Sequence, residues 1–152
     1  MAVKSFQGPR ANNEEEKSKI LVKHHMAERL VTFKPEQSVM EAMEILLKNK
    51  ISGGPVIDVN GELVGIISEG DCLKQISQSK YYNLPMSDIK VKDYMTKEVK
   101  TMDAFITVFE AADYFLNHRV RRFPVMKLGK LVGQISQKDV LEAVLEMKGH
   151  TW

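Results

Sequence analysis

Two stretches of the chain hold the same reactive residue types at the same spacing: GIISEGD, Gly65 to Asp71, and GQISQKD, Gly133 to Asp139. Each runs from a glycine through apolar residues to a serine, with an aspartate three residues later. A hydroxyl and a carboxylate at this spacing have two uses. At a helix start, Ser as N-cap and an acid at N3 satisfy amides that the helix leaves unpaired. At the carboxyl end of a strand the same acid can accept both hydroxyls of a ribose, and the free amides of the helix N-terminus suit an anionic group. Gly65 and Gly133 lack a side chain, which would let a flat ring approach the strand. Ser68, Asp71, Ser136 and Asp139 therefore leave capping and nucleotide binding both open.

Other polar groups are weighed the same way. Arg121-Arg122, with His118 and Arg119 upstream, is either a solvated basic turn or a phosphate clamp, since paired guanidinium groups form charge-assisted bonds to phosphate. His24-His25 is no metal site on sequence grounds: adjacent histidines point apart and no Cys or Asp constellation supports them. Gly53-Gly54-Pro55 lacks the Lys-Ser/Thr ending of a phosphate loop. The single cysteine, Cys72, cannot form an internal disulfide; it reads as buried packing and fits a reducing cytoplasm. The nine methionines fit helix packing.

The elements that carry these residues occur twice. VKHHM (Val22 to Met26) lies over VKDYM (Val91 to Met95), and Leu30-Val31-Thr32 over Val99-Lys100-Thr101. SVMEAMEILLKNKI lies over TVFEAADYFLNHRV, and GELVGIISEGDCL over GKLVGQISQKDVL after a one-residue gap in the turn. In each copy an N-cap (Ser38, Thr107) with an acid three residues on (Glu41, Glu110) starts a helix. The helical spacing places Val39, Met43, Leu46 and Leu47, or Val108, Ala112, Phe115 and Leu116, on one face. A Pro-Val strand follows, then a turn (Asn60-Gly61, a two-residue hairpin signal, or Gly129), a return strand and a second helix near Glu69 or Gln137. The order is β-α-β-β-α, an α/β unit with a three-stranded sheet, too small to bury its apolar sheet face alone. The boundaries read as a mobile arm over 1–21, units over 22–77 and 91–148, a link over 78–90, and a tail over 149–152 with a helix end at Gly149.

Composition excludes several classes. The chain has 152 residues, 43% hydrophobic and 28% charged, with a formal net charge of +2. That balance argues against a nucleic-acid binder relying on bulk charge. No apolar run approaches the roughly 18 residues needed to span a bilayer, and no secretory signal opens the chain, so a cytoplasmic location is expected. Neither copy supplies the base, oriented nucleophile and metal site that hydrolysis or phosphoryl transfer would need, so no enzyme is expected.

The paired motifs resemble a known family. The Met26 and Met95-Thr96 positions, the Pro55-Val56 and Pro124-Val125 strands, and the Gly-x-x-Ser-x-x-Asp runs are similar to a tandem pair of CBS domains, named after cystathionine β-synthase, over residues of about 22 to 148. The resemblance implies two α/β units packed sheet to sheet with pseudo-twofold symmetry, and clefts for adenosyl ligands such as AMP, ADP, ATP or S-adenosylmethionine. It implies that Asp71 and Asp139 hold ribose hydroxyls, with Ser68 and Ser136 beside ribose and phosphate. It places the adenine against Val31-Thr32 and Lys100-Thr101, and phosphates near Arg121 and Arg122. The first copy has Ser52 and Gly53 in place of the arginines, so unequal filling of the two clefts is expected. The reading is a non-catalytic regulatory module with an AMP, ADP or ATP ligand, no metal and no cofactor. It would act as a homodimer on a separate, unidentified protein, through helix faces bearing Met40, Met43, Phe109 and Tyr114. The alternatives are an S-adenosylmethionine sensor and an interaction module with empty clefts.

Overall fold

Ser38 and Thr107 start two helices as their caps predict. In the computed structural model, which describes residues 20–82 and 88–151 (backbone alone at 81–82 and 149–151), each hydroxyl accepts the amide three residues on, from Glu41 and Glu110, at 3.1 Å. A short 3-10 turn over Val22–His24 comes first. It is followed by α1 (Val39–Asn49), β1 (Gly53–Ile57), β2 (Leu63–Ser68), α2 (Glu69–Tyr82) and α3 (Val91–Tyr94). Then come β3 (Met102–Asp103), α4 (Val108–Asn117), β4 (Arg122–Lys127), β5 (Lys130–Ser136) and α5 (Gln137–Thr151). The second helices begin at Glu69 and Gln137 as expected. α5 runs through Gly149, where an end was expected, and α2 extends to Tyr82 into the expected link. Most of the expected arm, the link residues 83–87 and Trp152 lie outside the described residues.

Packing divides the chain into two units whose limits differ from the repeat boundaries 22–77 and 91–148. One contains the described residues up to Glu28, Met102–Lys127 and those from Val132 onward; the other contains Arg29–Thr101 with Leu128–Leu131. Each leading segment thus closes the unit built by the other copy. In the first unit, Val22 N–H donates to Ile106 O (2.8 Å), Lys23 N–H to Ala104 O (3.0 Å) and Val108 N–H to Ile20 O (2.7 Å). In the second, Val91 donates to Gln37 O (2.8 Å), Lys92 to Pro35 O (3.0 Å) and Val39 to Ile89 O (2.8 Å), the same three bonds at the matched positions. Val22 and Val91 are fully buried at the centre of these clasps.

The sheets differ in completeness. β3, β4 and β5 form a three-stranded sheet, with β3 parallel to β4 in the register Met102↔Val125. In the other unit β1 and β2 pair antiparallel and the place of a third strand is taken by one parallel bridge, Phe33↔Val56. Both lie just after the Thr32 and Thr101 positions where the first strand was expected. The Leu128-Gly129 turn joining β4 and β5 is a two-residue hairpin with φ of 51° and 79°. Asn60-Gly61 is not such a hairpin. The extra residue makes a loop over 58–62, closed by Asp58, whose Oδ1 accepts the amides of Asn60 and Glu62 at 2.9 Å.

Each unit has its own core. Phe33, Val39, Ala42, Leu46, Val56, Ile67, Cys72 and Val91 fill one; Val22, Met102, Val108, Ala111, Phe115, Phe123, Val125, Ile135 and Val140 are among those filling the other. The buried helix stripe runs through Ala42 and Ala111, leaving Leu47 and Leu116 outside at 76% and 82% exposure, contrary to the expected face. The two cores solve one packing problem in reverse. In the second unit Phe33 lies over Gly54, where a Cβ would come within 2.8 Å of the ring. At the matched positions of the first unit the large residue is Phe123, the smaller Met102 replaces Phe33, and Phe115 packs edge-on to Phe123 with centroids 5.0 Å apart.

Candidate functional site

Ser68 and Ser136 are the last residues of β2 and β5, so Asp71 and Asp139 fall on the first turns of α2 and α5. Asp71 Oδ2 accepts the Ser68 amide at 2.8 Å and the Ser68 hydroxyl at 2.9 Å, and the Ser68 oxygen accepts the Asp71 amide at 3.3 Å. In the other unit Asp139 Oδ2 accepts the Ser136 amide at 2.8 Å, and Ser136 Oγ accepts the Asp139 amide at 3.2 Å. Both pairs are complete capping boxes, half-buried at a strand-to-helix junction. In each, Oδ1 is engaged by no hydrogen bond among the described residues. That oxygen lies beside the positive end of a helix and is the atom able to take a further donor.

The surrounding residues gather unit by unit. β1 and β2 pair in the register Gly53↔Ser68, and Val31 O lies 2.9 Å from where a Gly54 Cβ would stand. Val31, Thr32, Ser68 and Asp71 thus share one end of that unit. In the other unit Arg122 opens β4 and Ser136 closes β5; the tight hairpin makes these strands antiparallel, so both residues lie at one end. Arg121 is exposed, Arg122 half-buried, and neither makes an ion pair among the described residues. Lys100 and Thr101 immediately precede β3, at the point where the chain passes between the units. At Gly53, the position matched to Arg122, a Cβ would stand 2.9 Å from Ile67 O and 3.3 Å from Ser68 Cα, so a side chain there would require the strand contact to shift.

The structure corrects the role expected for Gly65 and Gly133. No ring can use the space above them, because it is filled. A Cβ on Gly133 would stand 2.5 Å from Met26 Sδ and 2.8 Å from Ala27 O; on Gly65, 2.6 Å from Met95 Sδ and 2.9 Å from Thr96 O. The backbones are bonded there too, Ala27 with Gln134 at 2.8 and 3.0 Å, Thr96 with Ile66 at 2.8 and 2.9 Å. The glycines admit the leading segments, and Met26 and Met95 are the plugs. Sequence reasoning saw both methionines at matched positions without assigning them that role.

Cys72 is buried, and burial, then the Asp71 and Glu69 carboxylates, push its thiol up. No group of three His, Cys, Asp or Glu able to hold a metal occurs among the described residues, and no helix among them is long and apolar enough to cross a membrane. A shallow depression along α4, lined by Glu110, Asp113, Tyr114, Asn117 and His118, includes none of the expected site residues, and its two carboxylates disfavour an anion.

Comparison with known proteins bears on this arrangement. The family model of the CBS domain matches residues 22–78 and 91–146. The crystal structure of CBSX2 from Arabidopsis thaliana, solved in complex with AMP, is 32% identical, covers 84% of this chain and 98% of its own, and superposes with a TM-score of 0.72. The CBS domain pair of MJ0100, solved with 5-methylthioadenosine and S-adenosyl-L-methionine, is 28% identical over 84% of this chain and 97% of its own, with a TM-score of 0.68. The inosine-5'-monophosphate dehydrogenase of Aquifex aeolicus is 36% identical over 114 residues, 74% of this chain, which spans 22% of that enzyme.

Proposed function

We propose that this chain, which belongs to the CBS domain family and carries two such domains in tandem, is a non-catalytic module that binds an adenosine phosphate and regulates a separate protein. The observation that carries the reading is the pair of Ser-Asp boxes. One carboxylate oxygen builds the helix start and the other, Oδ1, is left for a ligand hydroxyl at the carboxyl end of the sheet. Ribose hydroxyls donate to Asp139 or Asp71. Phosphates are held by Arg121 and Arg122, whose charge no acidic side chain offsets among the described residues. The backbones at Val31-Thr32 and Lys100-Thr101 border the adenine. AMP in CBSX2 and S-adenosylmethionine in MJ0100 support an adenosyl ligand. The chain covers too little of the dehydrogenase for that enzyme's activity to carry over.

A second reading has an observation of its own. In both boxes Ser and Asp satisfy each other across three residues, as a helix start alone requires, which fits an interaction module. Met40, Phe109 and Tyr114 are 42%, 50% and 41% exposed and support a homodimer through the helix faces, to be checked by sedimentation. Titration calorimetry of AMP, ADP, ATP, adenosine and S-adenosylmethionine separates the readings. Asp139→Ala removes hydrogen bonds to a charged group worth about 1.5–3 kcal/mol, an affinity loss of about ten- to hundredfold. Arg122→Ala weakens ADP and ATP more than adenosine. Absence of binding by the wild-type protein at millimolar ligand refutes the sensor and leaves the interaction module.

A further inference from the structure

Helix α2 meets its unit with an unusual face. Its buried stripe is Cys72, Gln75 and Ser79, at 4%, 0% and 7% exposure. The matched stripe of α5 is apolar: Val140 at 6%, Ala143 at 1%, and Met147 packed against the core. The outward faces do not differ in this way: Leu73 at 66% exposure is matched by Leu141 at 65%, so the contrast lies in the buried stripe. Gln75 is fully buried where the other copy has alanine. Its amide nitrogen donates to the Ser79 hydroxyl, while its carbonyl oxygen is buried with no partner among the described residues. Turning the amide round exchanges the two ends and still leaves one unsatisfied, because a primary amide brings a carbonyl and two N–H groups to a place with one hydroxyl.

We propose that α2 is an opening element: it detaches from its unit by local unfolding while the rest of that unit stays folded. A buried orphan carbonyl gains water when the helix leaves, so the group that weakens the closed state favours the open one. The stripe gives up little apolar area on leaving, whereas α5 would expose Val140 and Met147. Opening that unwinds the first turn of α2 also parts Asp71 from Ser68 and breaks the Ser-Asp box of this unit.

Native-state labelling of Cys72 with a disulfide reagent, across urea concentrations below global unfolding, tests this. Cys72 should label with a urea slope well below that of global unfolding, and at least about tenfold faster than the thiol of a Cys72→Ser, Val140→Cys variant. Gln75→Leu removes the orphan atom and should slow labelling of Cys72 by about 5- to 150-fold. Labelling with the full global slope, or a Gln75→Leu protein labelling as fast as wild type, overturns the proposal. Hydrogen exchange of the wild-type protein decides it without any variant. Amides over 73–80 should exchange faster than those over 141–148, and equal protection overturns it.

Discussion

Gly133→Ala sets two physical effects of opposite sign against each other. Gly133 lies in β5 with φ outside the left-handed region, so alanine fits its backbone and should stabilise by about 0.4–1 kcal/mol through the unfolded chain. Against this, the new methyl would stand 2.5 Å from Met26 Sδ, 2.9 Å from Met26 Cγ and 2.8 Å from Ala27 O. The methionine can rotate away. The Ala27 carbonyl cannot, since it is backbone and accepts the Gln134 amide at 3.0 Å. Overpacking of this kind costs about 1–3 kcal/mol, and straining the two Ala27–Gln134 hydrogen bonds adds about 0.5–1.5 kcal/mol each if they are lost. The net expectation is a loss of up to about 3 kcal/mol with the hydrogen bonds kept, rising towards about 6 kcal/mol if both go, with Tm falling by about 2–4 °C per kcal/mol for a chain of this size. Urea denaturation and calorimetry measure it, and nucleotide titration of the same variant gives the discriminating result. If the glycine admits the leading segment, stability falls while the folded protein still binds. A variant as stable as wild type that has lost binding would refute the argument and restore the ring-approach reading.

Other expectations follow from single features. Gly65→Ala should destabilise its unit comparably, because its methyl would meet Met95 Sδ at 2.6 Å and Thr96 O at 2.9 Å; urea denaturation reads this. Leu128 has φ of 51° and is 87% exposed, so Leu128→Gly should raise stability by about 1 kcal/mol by relieving left-handed strain, read as a higher urea midpoint. The Cys72 thiol is pushed up by burial and nearby carboxylates, so its neutral form favours the fold below the unfolded pKa. As pH rises above about 8.5 the unfolded thiol ionises first and stability falls. Cys72→Ala should flatten that decline in denaturation curves taken from pH 7 to 10.

Sequence alone determined what is decided within a few residues. The boxes at Thr107, Ser68 and Ser136 and the cap at Ser38 each close over three residues, so serine or threonine with an acid at that spacing specified four helix starts. The Pro-Val and return strands were legible for the same reason, as was the doubled α/β unit, because a repeat needs no coordinates to be seen. Tertiary structure decided which stretch covers which. VKHHM and VKDYM are alike enough that periodicity cannot tell which unit each closes, and only the backbone bonds of Val22 and Val91 assign them. The same non-local choice gave Gly65 and Gly133 their meaning: a missing side chain records that something approaches, and the occupant turned out to be a methionine from far along the chain. Leu47 and Leu116 fit an apolar helix stripe by spacing, yet lie outside, because a core takes side chains by the volume facing it, and Ala42 and Ala111 already bring the helices close. Gln75 is the reverse case, a polar residue that spacing alone would set in solvent, buried because α2 packs against α1, α3 and β2 around it.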